Sequence, residues 1–217
     1  MMAEGIQKKT KIIDKIEKNK IIAVVRTNNV QRAIDVSKAL IDGGLKVIEI
    51  TMSHIDTSVV IDEISKIEGV SVAAGSVITG AQAENAISAG AELIVSPVAE
   101  MNLIKLCKGK MLPIITAAAT PTEAYNAWKL GVNLIKIFPA KDLGGPDYIY
   151  DILTPMPFLP LIPTGGVNLD NFTEYLKAGA VAVGMGKVFY FDEENFSVIT
   201  SRAKAVVHKL NDYLENK

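Results

Sequence analysis

Two patterns of apolar residues alternate along the chain. Short runs of mostly β-branched residues predict buried strands, and longer segments with apolar residues three or four positions apart predict amphipathic helices. The predicted strands cover residues 21–25, 46–50, 71–74, 93–95, 112–115, a run around Lys136, 160–163 and 181–183. The predicted helices cover residues 12–19, 30–41, 58–66, 81–88, 101–108, 120–130, 147–153, 170–177 and 198–214. After a lead-in helix, the chain therefore repeats one strand–helix unit.

This repeat predicts a parallel sheet, because parallel strands need a crossover connection and a helix commonly supplies it. Eight units in about 200 residues favour an α/β fold of the closed (β/α)8 TIM-barrel type with a short N-terminal helix. An open, doubly wound sheet is the alternative. No linker-like segment interrupts the repeat, so we expect one TIM-barrel domain over residues 1–217.

Composition and charge exclude several classes of partner and of covalent cross-link. Hydrophobic residues make up 49% of the chain and charged residues 22%, and the formal net charge is −1. Neither nucleic acid nor a membrane is expected as a partner, because the charges are interspersed and form no basic patch. The single cysteine, Cys107, excludes an internal disulfide. No signal-peptide pattern or long apolar run is visible, so we expect a cytoplasmic protein.

The run Gly131–Ala140 places one lysine, Lys136, among apolar residues of strand character that end at Pro139. An ammonium is costly to bury, and an apolar environment favours the neutral amine. A neutral amine is a nucleophile that condenses with a ketone to form a Schiff base. The other interpretation is a lysine at a strand end, whose stem packs while its amine reaches water. This window alone leaves both interpretations open.

In TIM barrels the active site is built at the C-terminal ends of the strands. Strand 2 ends near Glu49, a carboxylate between two isoleucines, and strand alternation allows both Glu49 and Lys136 to point inward. A lysine and a carboxylate in one dry cavity can exchange the protons that Schiff-base chemistry needs. The alternative is a buried ion pair of little stabilising effect.

Glycines follow the last two predicted strands, Gly165-Gly166 after strand 7 and Gly184-x-Gly186 after strand 8. Many TIM barrels bind phosphate there, through backbone N–H groups that glycine allows to approach the anion closely. Other candidates are weaker: His54, near strand 2, could contact substrate but as a lone loop histidine is more often solvated, and we expect His208 to lie on the surface and Trp128 to be a packing residue. Carboxylates and histidines lack the spacing of metal ligands, so we expect no metal and no other cofactor.

Three motifs carry a resemblance to a known family: Gly44-x3-Ile48-Glu49-Ile50-Thr51, Lys136-Ile-Phe-Pro-Ala140 and Pro163-Thr-Gly-Gly-Val-Asn168. Over nearly its whole length the chain resembles the small class I aldolases that cleave 2-dehydro-3-deoxy-6-phosphogluconate (KDPG) and the related 4-hydroxy-2-oxoglutarate (KHG). The resemblance implies a carbon–carbon lyase that releases pyruvate and an aldehyde, glyceraldehyde 3-phosphate or glyoxylate. It also implies a homotrimer.

The resemblance implies a role for each matching residue. Lys136 matches the Schiff-base lysine and Glu49 the general acid/base. Substrate-carboxylate contacts are implied for Arg26, Ser76 and Thr164, and phosphate contacts for Gly165, Gly166 and Gly186. Lys187 stands where the family often has a small residue near phosphate, and its charge could strengthen that binding.

Departures from the family pattern keep two rival functions open. Besides Lys187, the chain has Ser53 where some members have arginine, and Thr116-Ala117 where strand 5 usually ends in Pro-Gly, which we expect to add bulk at the barrel mouth. One rival is a phosphosugar decarboxylase or isomerase of the same fold, although residues 133–140 lack the aspartates of the decarboxylase pattern. The other is a non-catalytic barrel that binds sugar acids and phosphate.

Overall fold

The computed structural model of the chain describes residues 2–52 and 56–216, with side chains from residue 11 onward. Its strands are β1 (Ile21–Val25), β2 (Val47–Thr51), β3 (Ser71–Gly75), β4 (Leu93–Ser96), β5 (Ile114–Ala118), β6 (Leu134–Ile137), β7 (Leu161–Pro163) and β8 (Val183–Met185). Its helices are α1 (Met2–Asn19), α2 (Val30–Asp42), α3 (Thr57–Ser65), α4 (Gly80–Ser88), α5 (Met101–Gly109), α6 (Pro121–Lys129), α7 (Gly145–Leu153), α8 (Phe172–Lys177), α9 (Lys187–Tyr190) and α10 (Phe196–Glu215).

The strands form one parallel sheet in the order β7-β6-β5-β4-β3-β2-β1-β8. An isolated parallel bridge between Thr164 and Gly184 brings its two edges together just beyond β7. With helices between successive strands, this is the predicted (β/α)8 barrel with an N-terminal helix. No helix within the described ranges combines the length and hydropathy that crossing a membrane would need.

Strand alternation divides the apolar residues into two cores. The larger core lies between the sheet and the surrounding helices. The smaller one fills the barrel and includes Ile22, Val47, Leu93, Ile115, Leu134 and Ile162. Ile12 and Ile16 of α1 join it and are buried, so the N-terminal helix packs against the interior core. An apolar interior leaves the C-terminal ends of the strands as the place for a polar site.

Capping chemistry explains where two of the helices begin. Thr79 and Gln82 form a capping box at α4, and Thr120 and Glu123 form another at α6, where Pro121 is the first helical residue. In each box the threonine hydroxyl accepts from the backbone N–H three residues on. Backbone N–H donors hold the pKa of the Glu123 carboxyl below its usual value. These caps set the lengths of the loops after β3 and β5.

Besides shifts of one or two residues at the ends of other elements, four elements differ from the sequence prediction. The lead-in helix is longer, β5 and β8 lie two or three residues later than predicted, and α9 was not predicted. At β5 the reason is local: Leu112 N–H still bonds to Cys107 O, at 2.9 Å, so Leu112 closes α5. The strand continues to Ala118, which pairs with Ile137 of β6. Pairing with a neighbour, rather than side-chain type, sets this strand end.

Candidate active site

The C-terminal ends of β1, β6, β7 and β8 surround a cavity of about 790 Å³. Most of the predicted site residues line it, namely Arg26, Lys136, Thr164, Gly165, Gly166, Gly186 and Lys187. The two remaining predicted residues contact this set, Glu49 through Lys136 and Ser76 through Arg26. The fold therefore brings all nine predicted residues together. A second concavity of about 690 Å³, between α8 and α10, contains none of them.

Lys136 and Glu49 meet inside the barrel from strands that are not neighbours. The Lys136 Nζ atom lies 3.3 Å from Oε1 and 3.4 Å from Oε2 of Glu49. The exposed fraction of the side chain is 14% for Lys136 and 4% for Glu49, so the amine faces the cavity while the carboxylate lies behind it. Gly75, at the end of β3, lies against this carboxylate and leaves room for it. A pair held this way can exchange a proton with a group bound in the cavity.

A second polar pair sits at the ends of β1 and β3. Arg26 Nη2 donates to Ser76 Oγ at 3.0 Å. Ser76 has a φ of +60°, in the left-handed region that residues other than glycine rarely adopt. Such a conformation at the end of a barrel strand is typical of a functional site, where the surrounding structure imposes it. The pair presents a planar cation and a hydroxyl at the mouth of the barrel.

Glycines after β7 and β8 shape another part of the cavity wall. Gly165 and Gly166 have φ values of +94° and +78°, and a β-carbon on Gly166 would collide with the side chain of Lys141. Thr164 is buried, donates its N–H to Ile137 O at 2.9 Å, and accepts from Ala140 N–H at 2.8 Å. The turn at Gly165-Gly166 is therefore closely packed, and its backbone borders the cavity without intervening side chains.

Two lysines stand at the rim beside these glycines. Lys187 is exposed, lines the cavity, and has its Nζ atom 5.2 Å from the centroid of the Phe191 ring. Lys141 also lines the cavity and was not singled out from the sequence, although it follows the Lys136 motif by one residue. Lys187 therefore borders the cavity and also remains exposed to solvent.

Three further residues of the site were missed in the sequence. Gly75 makes room for Glu49, and Phe138 is 48% exposed with its ring centroid 5.9 Å from Lys136 Nζ. Tyr190 lines the cavity and bonds to the backbone of β1. Tyr190 follows the strand-8 glycines but belongs to no recognisable sequence motif, so the sequence did not point to it. Only the unpredicted helix α9 brings it to the site.

The expectation that Thr116 adds bulk at the barrel mouth is wrong. Thr116 pairs with Ile135, which belongs to the outer core, so its side chain points toward the helices. It is fully buried, and its Oγ1 has no hydrogen-bond partner among the described residues. The next residue, Ala117, pairs with Lys136 and faces inward. Because successive strand residues face opposite sides, the departure adds one methyl group to the mouth rather than a threonine.

The remaining candidates either fall outside the described residues or lie away from this site. His54 and Ser53 lie outside the described residues. His208 is exposed and pairs with Asp212 at 2.9 Å, and Trp128 packs against Phe158 with ring centroids 4.6 Å apart. In the described ranges, no three histidine, cysteine or acidic side chains gather as metal ligands would. The expectation that no metal is needed remains a prediction.

Comparisons with known proteins agree with this geometry. The family profile described as "Aldolase: KDPG and KHG aldolase" matches residues 12–201. The 2-dehydro-3-deoxy-phosphogluconate aldolase of Treponema pallidum is 34% identical over 166 residues, which cover 76% of this chain and 79% of that protein. The probable 2-dehydro-3-deoxy-6-phosphogalactonate aldolase of Rhizobium meliloti is 33% identical over 190 residues, covering 86% and 89%.

A solved structure is similar in fold as well as in sequence. It is a KDPG aldolase from Legionella pneumophila with pyruvate captured as a covalent carbinolamine intermediate. It superposes with a TM-score of 0.78 at 29% identity and covers 87% of this chain and 94% of that one. The chain belongs to the KDPG and KHG aldolase family and is a class I aldolase, a carbon–carbon lyase.

Proposed function

We propose that this aldolase cleaves a phosphorylated 4-hydroxy-2-keto sugar acid such as KDPG, with Lys136 as the Schiff-base lysine and Glu49 as the general acid/base. One observation carries the proposal: the Lys136 amine and the Glu49 carboxylate are 3.3 Å apart at the inner end of an open cavity. A nucleophile and a proton carrier within hydrogen-bond reach are what imine chemistry requires.

The proposed reaction begins when Lys136 passes a proton to Glu49 and its amine attacks the C2 ketone. The carbinolamine that forms loses its hydroxyl as water, with Glu49 supplying the proton, and becomes a protonated imine. The imine then accepts the electron pair of the C3–C4 bond while Glu49 takes the proton of the C4 hydroxyl. An aldehyde leaves, the enamine is protonated at C3, and water releases pyruvate and the free amine.

We further propose that Arg26, Ser76 and Thr164 hold the substrate carboxylate. Arginine binds a carboxylate through two parallel N–H donors, and Arg26 is already oriented by its bond to Ser76. Thr164 borders the same cavity from β7. A carboxylate held by these residues places C2 of a keto acid toward Lys136, because the carboxylate carbon and the C2 ketone carbon are directly bonded in such substrates.

We propose that Gly165, Gly166, Gly186 and Lys187 bind the substrate phosphate. Glycine backbone after β7 and β8 suits an anion, and Lys187 adds a full positive charge at the rim. A cavity of about 790 Å³ is large enough for a six-carbon phosphorylated acid. KHG is the unphosphorylated candidate. The two relatives named above differ in the sugar acid, gluconate or galactonate, so the preferred C4 configuration is part of the test.

We also propose that the protein is a cytoplasmic homotrimer in carbohydrate metabolism. The exposed rings of Tyr125, Trp128 and Phe158 pack together on one surface and supply apolar area for contact between copies. Cys107 is a buried free thiol, as suits a reducing compartment. Light scattering on the purified chain tests the trimer directly.

The deciding experiment is chemical trapping of the imine. Incubation with pyruvate and borohydride should label Lys136, located by the mass of its peptide, and Lys136→Met should abolish both labelling and turnover. Lys129→Met is the control, because that lysine lies on an outer helix and should leave labelling unchanged. Labelling at another lysine, or no labelling of the wild type, would contradict the mechanism and favour the non-catalytic binding barrel. A panel of 4-hydroxy-2-keto acids then ranks the substrates.

A further inference from the structure

The three arginines of the chain all contact the segment that follows β8. Arg26 N–H donates to the hydroxyl of Tyr190. Arg32, from α2, donates to Glu193 O at 2.8 Å and pairs with Glu194 at 2.6 Å. Arg202, from α10, donates to Phe189 O at 2.9 Å and pairs with Glu193 at 3.3 Å. The segment is therefore held from two helices and contacts β1 at the residue proposed to hold the substrate carboxylate.

β8 ends at Met185, and the Tyr190 hydroxyl makes the two hydrogen bonds to the chain at the end of β1 that a longer β8 would make. The register pairs Ala23 of β1 with Met185, so Lys187 would stand opposite Val25 if the ladder continued. In that ladder its N–H would bond to Val24 O, and its carbonyl to the N–H of Arg26. The chain instead turns into α9 at Lys187.

Tyr190 makes both of these hydrogen bonds with one oxygen. Its hydroxyl donates to Val24 O at 3.1 Å and accepts from Arg26 N–H at 2.8 Å. Tyr190 is 5% exposed, and burial is the main cause that raises its pKa above the ordinary value. The hydroxyl therefore keeps its proton near neutral pH and remains a donor to Val24 O.

We propose that Tyr190 is a positioning residue for substrate-carboxylate binding, because its hydroxyl fixes the backbone from which the Arg26 guanidinium reaches Ser76. The inference rests on the proposed function, in which Arg26 holds that carboxylate. Without the hydroxyl, Val24 O and Arg26 N–H lose the hydrogen-bond partner that Tyr190 supplies. The backbone that carries the Arg26 guanidinium is then held less firmly. Tyr190 itself need not touch the substrate.

The test compares Tyr190→Phe with the wild type in the concentration dependence of imine trapping. Pyruvate is the first probe, with cyanoborohydride as the reductant, and methyl pyruvate, whose carboxylate charge is masked, is the second. Tyr148→Phe is the matched control, because it also removes a tyrosine hydroxyl, one that donates to Ala119 O at 2.8 Å and lies away from Arg26. Circular dichroism confirms that each variant is folded.

Tyr190→Phe should raise the pyruvate concentration for half-maximal trapping about 3- to 10-fold, the effect of losing a hydroxyl that makes neutral hydrogen bonds, with the maximal rate within about 2-fold. The methyl pyruvate curve should not change, and Tyr148→Phe should match the wild type with both probes. In an Arg26→Leu background, Tyr190→Phe should add nothing.

An unchanged pyruvate curve in Tyr190→Phe would overturn the inference, and so would an equal rise for methyl pyruvate, since a merely structural role moves both curves. The same holds if the effect persists in the Arg26→Leu background. Should Tyr190→Phe fail to fold, Arg202→Met loosens the same segment and is judged by the same two curves. A wild type that traps no pyruvate would overturn the proposed function itself and this inference with it.

Discussion

Gly75 and Glu49 share a space that holds only one side chain. A β-carbon built on Gly75 would lie 2.7 Å from Cγ and 2.8 Å from Cδ of Glu49, and would collide with its Oε1. Gly75 ends β3 next to Thr51, its partner on β2, so the contact is set by the register of two neighbouring strands. The orientation of the proposed acid/base thus depends on an absent side chain.

Gly75→Ala should displace the Glu49 carboxylate from Lys136 and lower kcat roughly 10²-fold, as misplacement of a reacting group by about 1 Å can do. Overpacking should also destabilise the fold by about 1–3 kcal/mol. Gly109→Ala is the matched control, because a β-carbon there meets no atom within 4 Å. Steady-state kinetics and urea unfolding measure the two effects. A Gly75→Ala enzyme with wild-type kcat would show that the position of Glu49 is not critical.

Glu49→Gln should keep the fold and still form some imine with pyruvate, but lose roughly 10²–10⁴-fold in kcat, the usual contribution of a positioned acid/base. The amide preserves the shape of the buried side chain and cannot carry the proton. Burst and steady-state kinetics on a cleavable keto acid, with borohydride trapping in parallel, separate imine formation from cleavage. Near-normal kcat would remove Glu49 from the mechanism, and unfolding would favour a purely structural ion pair.

Lys187→Ser should raise KM for 6-phosphorylated substrates several-fold and leave KHG nearly unaffected, because only the former carry a phosphate to the rim of the cavity. Some loss of kcat is also expected, since remote binding energy helps to position the reacting carbon. Lys204→Ser, on the exposed side of α10, makes the same change in net charge away from the site and should have no effect. Equal KM changes for phosphorylated and plain substrates would exclude a phosphate-specific role.

Cys107 should make stability depend on pH in the alkaline range. Burial raises the pKa of its thiol from 9.0 to about 11. A raised folded-state pKa stabilises the protein below the unfolded value and loses that contribution as pH rises toward 11. Between pH 9 and 11, unfolding free energy should therefore fall by about 2 kcal/mol more in the wild type than in Cys107→Ala. If unfolding free energies measured with urea fell equally between pH 9 and 11 in the two proteins, this prediction would be contradicted. The native thiol should also resist alkylation at neutral pH.

The β5 strand begins and ends later than its side-chain pattern predicts. Residues 112–115 are more apolar than Ala117 and Ala118, so side-chain type placed the strand too early. Hydrogen bonding to β4 and β6 moved it to Ile114–Ala118. Pairing with β6 also decides which side of the sheet each residue faces, and it turns Thr116 toward the helices. Register is a property of pairs of strands, which one segment of sequence does not contain.

The repeat of strands and helices, the barrel, and the motifs around Glu49, Lys136 and Gly165 could be predicted from the sequence, because they follow from local periodicity and short-range spacing. Three contacts depend instead on how the chain folds: Glu49 meets Lys136, Gly75 leaves room for the carboxylate, and Tyr190 bonds to the end of β1. Tyr190 is 164 positions from Arg26 in the chain, and nothing in either local sequence records the contact. Such contacts arise when closure of the barrel brings β8 next to β1, so they are fixed by geometry over the whole sheet.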